Sequence, residues 1–480
     1  ILNGLALLHI ETGSYSKAES LLREAIQSIK STASENKPEL AGLLNNLARV
    51  YAKLGHYPKA EGLYKQTLEL LGSNPFNNQS ETAIALNNLA GLYSKRGLYG
   101  KAERLYAESL QIFKSELPPL HHLVTGASTN LALLYIDQGL TSKGEKLILE
   151  ALRAENLLIQ REAALLPRSE RKAFIDSMNN SHAIAFLSGP NTITMTRAAI
   201  FARLNFNGLL GEIERRQFSL ANTRGTLKNS LEELRGLNAR LGSAILQIEQ
   251  RQRLRKREEE LEQEIYLSLP QLKPQVAEVN DVASALPTGS ALIEMQEYRP
   301  LRQRKATVDP WDQPHYLALI LKPDGSVTPI QLGPAALIES AIHRALNASA
   351  QDNGDAKDRW AEVSKLVLEP IALTLEGSTQ WFISPDAELN RVPFAALPSP
   401  QDPNQPLGQS IKLRLLTTGR DLLRLQQPAK AAQAPVVVAN PNFNRTDHSS
   451  TAIATANSGD EPQSRSADLA AKNWAPLPSS

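Results

Sequence analysis

Apolar residues return at helical spacing through the first third of the chain. In residues 44–68, Leu44, Leu47, Tyr51 and Leu54 share one face, and after Gly55 the pattern restarts through Tyr57, Ala60, Leu63, Tyr64 and Leu68. This predicts a helical hairpin, with Gly55 in the left-handed conformation that ends its first helix. The hairpin recurs: Gly13, Gly55, Gly97 and Gly139 lie 42 residues apart. Ala18, Ala60 and Ala102 keep the same interval, with Gly144 in the fourth copy, and so do Asn46, Asn88 and Asn130, with Gly4 in the first. His9, Tyr51, Tyr93 and Tyr135 mark one ring-bearing position. The small residue suits a close helix crossing. A single hairpin cannot bury its own stripe, so residues 1–152 are expected to stack into a solenoid. Copy four, with Leu140 for tyrosine and Gly144 for alanine, reads as degraded.

From residue 153 to about 270 the helical pattern persists but the period is lost. Residues 198–221 are amphipathic, and Leu227, Leu231, Leu234, Leu241, Ile245 and Ile248 mark a coiled-coil-like seam. Residues 249–264, "EQRQRLRKREEELEQE", carry five positive and six negative charges. They read as a solvated helix tip or hairpin arm, with Arg255–Glu259 and Lys256–Glu260 as stabilising pairs. A nucleic-acid contact through Arg251–Arg257 is the lesser alternative, because the neighbouring acids cancel much of the field.

After Pro270 short apolar runs closed by turn residues take over. Residues 290–298, 315–332, 380–389 and 434–443 read as strands, with "KPDGS" as a turn between two of them. Helical patterns at 334–349, 357–375 and 417–426 lie between, so the expectation is a largely parallel sheet covered by helices. The fold expected overall is multidomain: an all-α solenoid, a helical extension, then an α/β domain at 277–480.

Composition narrows the chemistry. The formal charge of +2 over 480 residues argues against general affinity for nucleic acid or anionic membrane. No apolar run reaches the roughly 18 residues of a spanning helix. There is no cysteine, which removes disulfides, thiolate metal sites and a cysteine nucleophile from these residues and points to a cytoplasmic setting. No cofactor or metal site is expected. Opening on Ile1 inside a repeat and closing on "NWAPLPSS", the chain reads as part of a longer one.

The motif "LNNLA…Y…G.Y..A..LY" resembles the tetratricopeptide repeat in its 42-residue form. The resemblance implies that the first helix of each pair lines a groove for a protein or peptide. It places Asn46, Asn88 and Asn130 in that groove, with Arg49, Lys53 and Lys95 nearby. Amides there could contact a peptide backbone or simply bridge neighbouring helices. "WFISPDAELNRVPFAALPSP", residues 381–400, resembles the hallmark of the CHAT domain, a caspase-like domain found beside such repeats. "LPTGSALIEMQEY", "VVVANPNF", "WAPLP" and the preceding "RAAIFARLNFNGLL" agree with it. The family resemblance implies a cysteine peptidase of the caspase and separase group, with a histidine and a cysteine on later strands beyond residue 480. This chain offers no residue for the nucleophile. The expected role is therefore the recognition and scaffold portion of such an enzyme; a non-catalytic adaptor is the alternative.

Other candidates carry weaker chemistry. His121 and His122 are adjacent, which on a helix turns them apart, and His343 sits on a helix face. No serine-hydrolase, zinc-protease or phosphate-loop spacing occurs. Asp386 reads as a turn cap, and Pro393 with Phe394 as core. Two loops, 299–314 with Arg299, Arg302, Arg304 and Lys305, and the polar 445–473, read as an exposed insertion and a mobile linker, with partner binding and processing as alternatives.

Overall fold

The computed structural model describes residues 2–31, 37–72, 78–166, 168–178, 184–186, 195–214, 226–241, 248–268, 273–299, 313–351 and 354–425. The strand reading at 434–443, the linker at 445–473 and most of the 299–314 loop lie outside them.

Four helix pairs open the chain: α1 (Leu2–Glu11) with α2 (Tyr15–Ser31), α3 (Lys37–Lys53) with α4 (Tyr57–Gly72), α5 (Gln79–Lys95) with α6 (Tyr99–Glu116), and α7 (His122–Asp137) with α8 (Thr141–Leu165). Gly13, Gly55, Gly97 and Gly139 end the first helices at φ of +74, +78, +75 and +75°. Beyond each glycine the next backbone N–H returns to the carbonyl five residues earlier, as in Leu98 to Tyr93 at 2.9 Å, which closes the helix and turns the chain. Ala18, Ala60 and Ala102 are fully buried where the two helices cross. Gly144 takes this place in copy four for a reason other than decay. A methyl there would stand 2.7 Å from Ile136 Cγ1 and 3.0 Å from the Ala132 carbonyl, so α7 and α8 cross too closely for alanine.

After α8, the structure describes α9 (Arg168–Met178), α10 (Thr196–Phe206), α11 (Thr226–Leu241), α12 (Ile248–Ser268) and α13 (Val279–Ala285). Every residue of α10 except the exposed Arg197 is buried, since the helix lies between α8 and the sheet. Helices α11 and α12 form a hairpin in which Leu234, Leu237, Leu241, Leu261 and Ile265 are buried. Ile245 of the expected seam lies outside the described residues. Helix α12 is not a solvated tip: Arg251 and Glu258 are buried on it. Its described ion pairs also run elsewhere than expected. Arg257 grips Glu233 of α11 at 2.8 and 3.0 Å, and Arg161 of α8 reaches Glu258 and Glu262 at 3.3 and 3.8 Å.

Among the described residues the sheet has five strands in the order β3-β2-β1-β4-β5, with β1 (Ser290–Tyr298), β2 (His315–Leu321), β3 (Val327–Pro334), β4 (Gln380–Ser384) and β5 (Lys412–Leu415). It is mixed rather than largely parallel. β1 runs antiparallel to β2, and β2 to β3, while β1, β4 and β5 are parallel. A five-residue turn can join only antiparallel neighbours. The turn at Lys322–Ser326 is closed by two backbone bonds of 3.0 Å, with Gly325 at φ +81°. One face of the sheet, through Leu292, Leu319 and Phe382, packs on α10 and α13. The other, through Ile293, Ile320 and Ile383, packs on α14 (Ala335–Ala350) and α15 (Ala356–Val367). Phe394 joins that second core, while Pro393 is exposed beside it.

Candidate protein-interaction surface and the polar core behind it

The first helices of successive pairs touch, α1 with α3, α3 with α5 and α5 with α7, so together they form the inner face of the array. An asparagine ladder crosses this face. Asn46 donates to Asn3 at 2.9 Å, Asn88 to Asn45 at 3.1 Å and Asn130 to Asn87 at 3.2 Å. Each amide thus spends one hydrogen on the preceding repeat. Arg49 pairs with Glu11 at 3.1 Å, and its Nε is buried without an acceptor. Lys53 and Lys95 stand at the same position of successive copies, both exposed. The protein packed around the Lys95 ammonium, and then the like charge of Lys53, hold its pKa below the usual lysine range.

A second ladder binds copy to copy on the other side of the first helices. Tyr51 donates to Glu19 at 2.9 Å, Tyr93 to Glu61 at 3.0 Å and Tyr135 to Glu103 at 3.0 Å. Lys59, Lys101 and Lys143 sit over the same three rings at 5.4, 5.6 and 5.4 Å. Glu61 also takes Lys65 at 2.8 Å and Arg96 at 2.5 Å. These contacts, that of Lys65 foremost, lower its pKa to about 2.

Behind the repeats, side-chain amides clasp the linker that leads into the sheet. Gln160 of α8 accepts from the Gln275 N–H at 3.0 Å and donates to its carbonyl at 2.7 Å. Asn205 of α10 does the same to Ala277 at 2.8 and 3.0 Å, and Asn156 donates to the Asn205 carbonyl at 2.9 Å. Two amides thereby stand in for a neighbouring strand.

Two residues before Asn205, Arg203 enters the end of β1 and β4. It is 1% exposed, and Glu294, its partner at 3.0 Å, is fully buried. The guanidinium also meets Ser384 Oγ at 3.2 Å, the Pro385 carbonyl at 2.9 Å and Asp386 at 3.4 Å. Glu294 accepts in addition from Thr418 Oγ1 at 3.2 Å and from the Gly419 N–H at 2.5 Å. Asp386 is no turn cap: its side chain makes no capping bond. It accepts instead from Gln296 Nε2 at 2.8 Å and the Glu297 N–H at 2.9 Å. The carboxyl ends of parallel strands are where open α/β sheets place ligands; here the protein's own arginine fills that end.

The basic run of α12 docks on the repeats. Arg251 and Arg255 donate to the Glu116 carbonyl at 3.2 and 2.9 Å, meeting the negative end of the α6 dipole. Next to them the rings of His121 and His122 stack at 4.3 Å. They do not turn apart, because His121 precedes α7 and caps it, its Nδ1 accepting from the Leu123 N–H at 3.2 Å. His343 bridges to Glu388 at 3.1 Å at the surface. Among the described residues no group of three or more His, Asp or Glu side chains could hold a metal ion. None of the described helices is long and apolar enough to cross a membrane.

The class defined by this arrangement is a helical-repeat array joined to an α/β sheet. The chain matches tetratricopeptide repeat families over residues 1–73 and 82–122 and the CHAT domain over residues 358–480. It therefore carries tetratricopeptide repeats followed by a CHAT domain. The CHAT match starts inside α15, whereas the sheet takes its first strand at Ser290. No curated protein matches the chain. Among solved structures it is similar to BtubC (BKLC) from P. vanneervenii, with 21% identity over 47% of this chain and 82% of that one and a TM-score of 0.33. The apo form of RapI gives 14% identity, 56% and 75% coverage and a TM-score of 0.28. A tetratricopeptide repeat protein from Parabacteroides merdae gives 16%, 57% and 98%, and 0.24. Similarities at this level add nothing to the fold described above.

Proposed function

We propose that the chain is the partner-recognition and scaffold part of a caspase-like cysteine endopeptidase, and that the inner face of its repeats binds a protein or peptide that regulates the protease. The observation that carries this reading is the exposed Lys53–Lys95 pair beside the asparagine ladder. The protein packed around the Lys95 ammonium, and then the like charge of Lys53, depress its pKa, and an acidic group placed between the two cations would relieve both. Each ladder amide retains a second hydrogen for a peptide carbonyl. With no cysteine among these residues, the thiolate of such an enzyme would come from elsewhere. The saturated Arg203 cluster fits a sheet used as support, not as a reaction centre.

Peptide ligands selected against the whole chain would test the groove, with hydrogen exchange locating them. Protection of α3, α5 and α7, and a tenfold or greater loss of affinity in Lys53→Glu/Lys95→Glu, about 1.4 kcal/mol or more, are the expected results. Ligands that protect other surfaces and bind the variant unchanged would remove the groove from the account. Assaying the parent for cleavage that requires a cysteine would separate the endopeptidase reading from that of a purely non-catalytic adaptor.

A further inference from the structure

The corner where α6 meets α7 holds more positive charge than it neutralises. Arg251 and Arg255 lie one turn apart on α12 and converge on one neutral acceptor, the Glu116 carbonyl. Arg251 is only 9% exposed, and the Nε atoms of both arginines are buried without an acceptor. Neither has a carboxylate within ion-pair distance among the described residues. Glu116 on α6 and Glu258 and Glu259 on α12 act on Arg255 only from further away. A buried guanidinium without a counter-ion is costly. His121, which caps α7, lies within reach of both guanidinium charges, and His122 stacks on it; neither adds negative charge. Burial, then His122, Arg251 and Arg255, hold His121 down to about 4. The 16-residue helix α7 starts at this corner and contributes the partial positive charge of its N-terminus.

We propose that this corner is a binding site for a phosphate-class oxyanion, held by Arg251 and Arg255 with the imidazoles of His121 and His122 as further donors. Two guanidinium groups and two imidazoles offer more donors than the two oxygens of a carboxylate can accept, whereas a tetrahedral dianion matches them. The bound anion would bridge α12 to the α6–α7 corner and tie the α11–α12 hairpin to the repeats. Inorganic phosphate and a phosphorylated side chain share this chemistry.

The test is a titration of the full chain, carrying isotope-labelled histidine, with inorganic phosphate in chloride-poor buffer, read by NMR on all eight histidines. Saturable shifts confined to His121 and His122, with the His121 pKa rising by about one unit or more, are expected because an adjacent anion favours imidazolium. Arg251→Gln and Arg255→Gln should each weaken binding about tenfold, as loss of a charge-assisted contact does, while Lys256→Gln on the exposed side of α12 should not. O-phospho-L-serine forms the second arm: binding like phosphate admits an esterified source, and failure assigns the site to the free anion. No saturable shift up to about 10 mM phosphate, below which even a weak small-anion site fills, overturns the proposal. So does an RNA oligonucleotide that binds with a steep salt slope while phosphate leaves His121 and His122 unmoved. The wild-type titration decides even if a glutamine variant does not fold.

Discussion

Replacing Arg203 with methionine keeps much of the side-chain volume and removes the charge at the end of β1 and β4. The partners left behind are unequal. Asp386 is 24% exposed on its side chain and keeps its bonds from Gln296 and the Glu297 N–H, so water can compensate it. Glu294 has no exposure and keeps only Thr418 and Gly419 as donors. The loss is therefore mainly that of one orphaned buried carboxylate, about 3–5 kcal/mol. Glu294→Gln should cost less, because the guanidinium keeps Asp386, Ser384 Oγ and the Pro385 carbonyl. The double variant should cost less than the sum of the two by about 2–3 kcal/mol. A chain built of several parts need not unfold in one step, so the assay is native-state hydrogen exchange on peptides covering 290–298 and 380–386. It reads the local opening free energy of β1 and β4. A loss under about 1 kcal/mol in Arg203→Met, or strict additivity in the double variant, would refute the argument that this ion pair locks α10 onto the sheet.

Three further outcomes are expected. Gly144→Ala, which restores the residue found in the other three copies, should destabilise α7–α8 by about 1–3 kcal/mol through overpacking against Ile136 and the Ala132 carbonyl; an unchanged or higher thermal midpoint would show that the crossing relaxes. Glu61 has a folded pKa of about 2 against an ordinary value of 4.5. Its contribution is thus present above about pH 4.5 and lost as pH falls toward 2, and Glu61→Gln should show a shallower acid-induced fall in midpoint over that window; parallel profiles would contradict this. Asn205→Leu strands the N–H and carbonyl of Ala277 and should cost about 2–4 kcal/mol, counting about 1–2 per unpaired group, with exchange protection lost first at residues 273–278.

How much of this was written legibly in the chain depends on whether each feature repeats. The solenoid was plain, because four glycines at one interval fix both the hairpin and its closing conformation. The tyrosine–glutamate–lysine ladder repeats with the same period, as Glu19, Glu61 and Glu103 show, and the periodic search could have found it. Its pairing is hidden, since Tyr51 and Glu19 belong to different copies and meet only on stacking. The strands were legible as apolar runs, but the alternation of strands and helices suggested parallel pairing where the short Lys322–Ser326 turn demanded a hairpin. Gly144 was misread because sequence shows the missing methyl and not the closeness of α7. Arg203 and Glu294, 91 residues apart, leave only one trace: each is a charge set between apolar neighbours inside a mostly apolar element, the second charges of those elements being Arg197 and Glu297.

Helix α8 starts as the last helix of the repeats and ends among the residues that clasp the entry to the sheet. Its 25 residues make a rod of roughly 37 Å at 1.5 Å per residue. Pivoting that rod by about 5° at its repeat end would carry its far end by roughly 3 Å, a whole hydrogen-bond length. Gln160 sits near that far end, so a small change in curvature among the repeats would arrive at residues 275–277 as the making or breaking of discrete bonds.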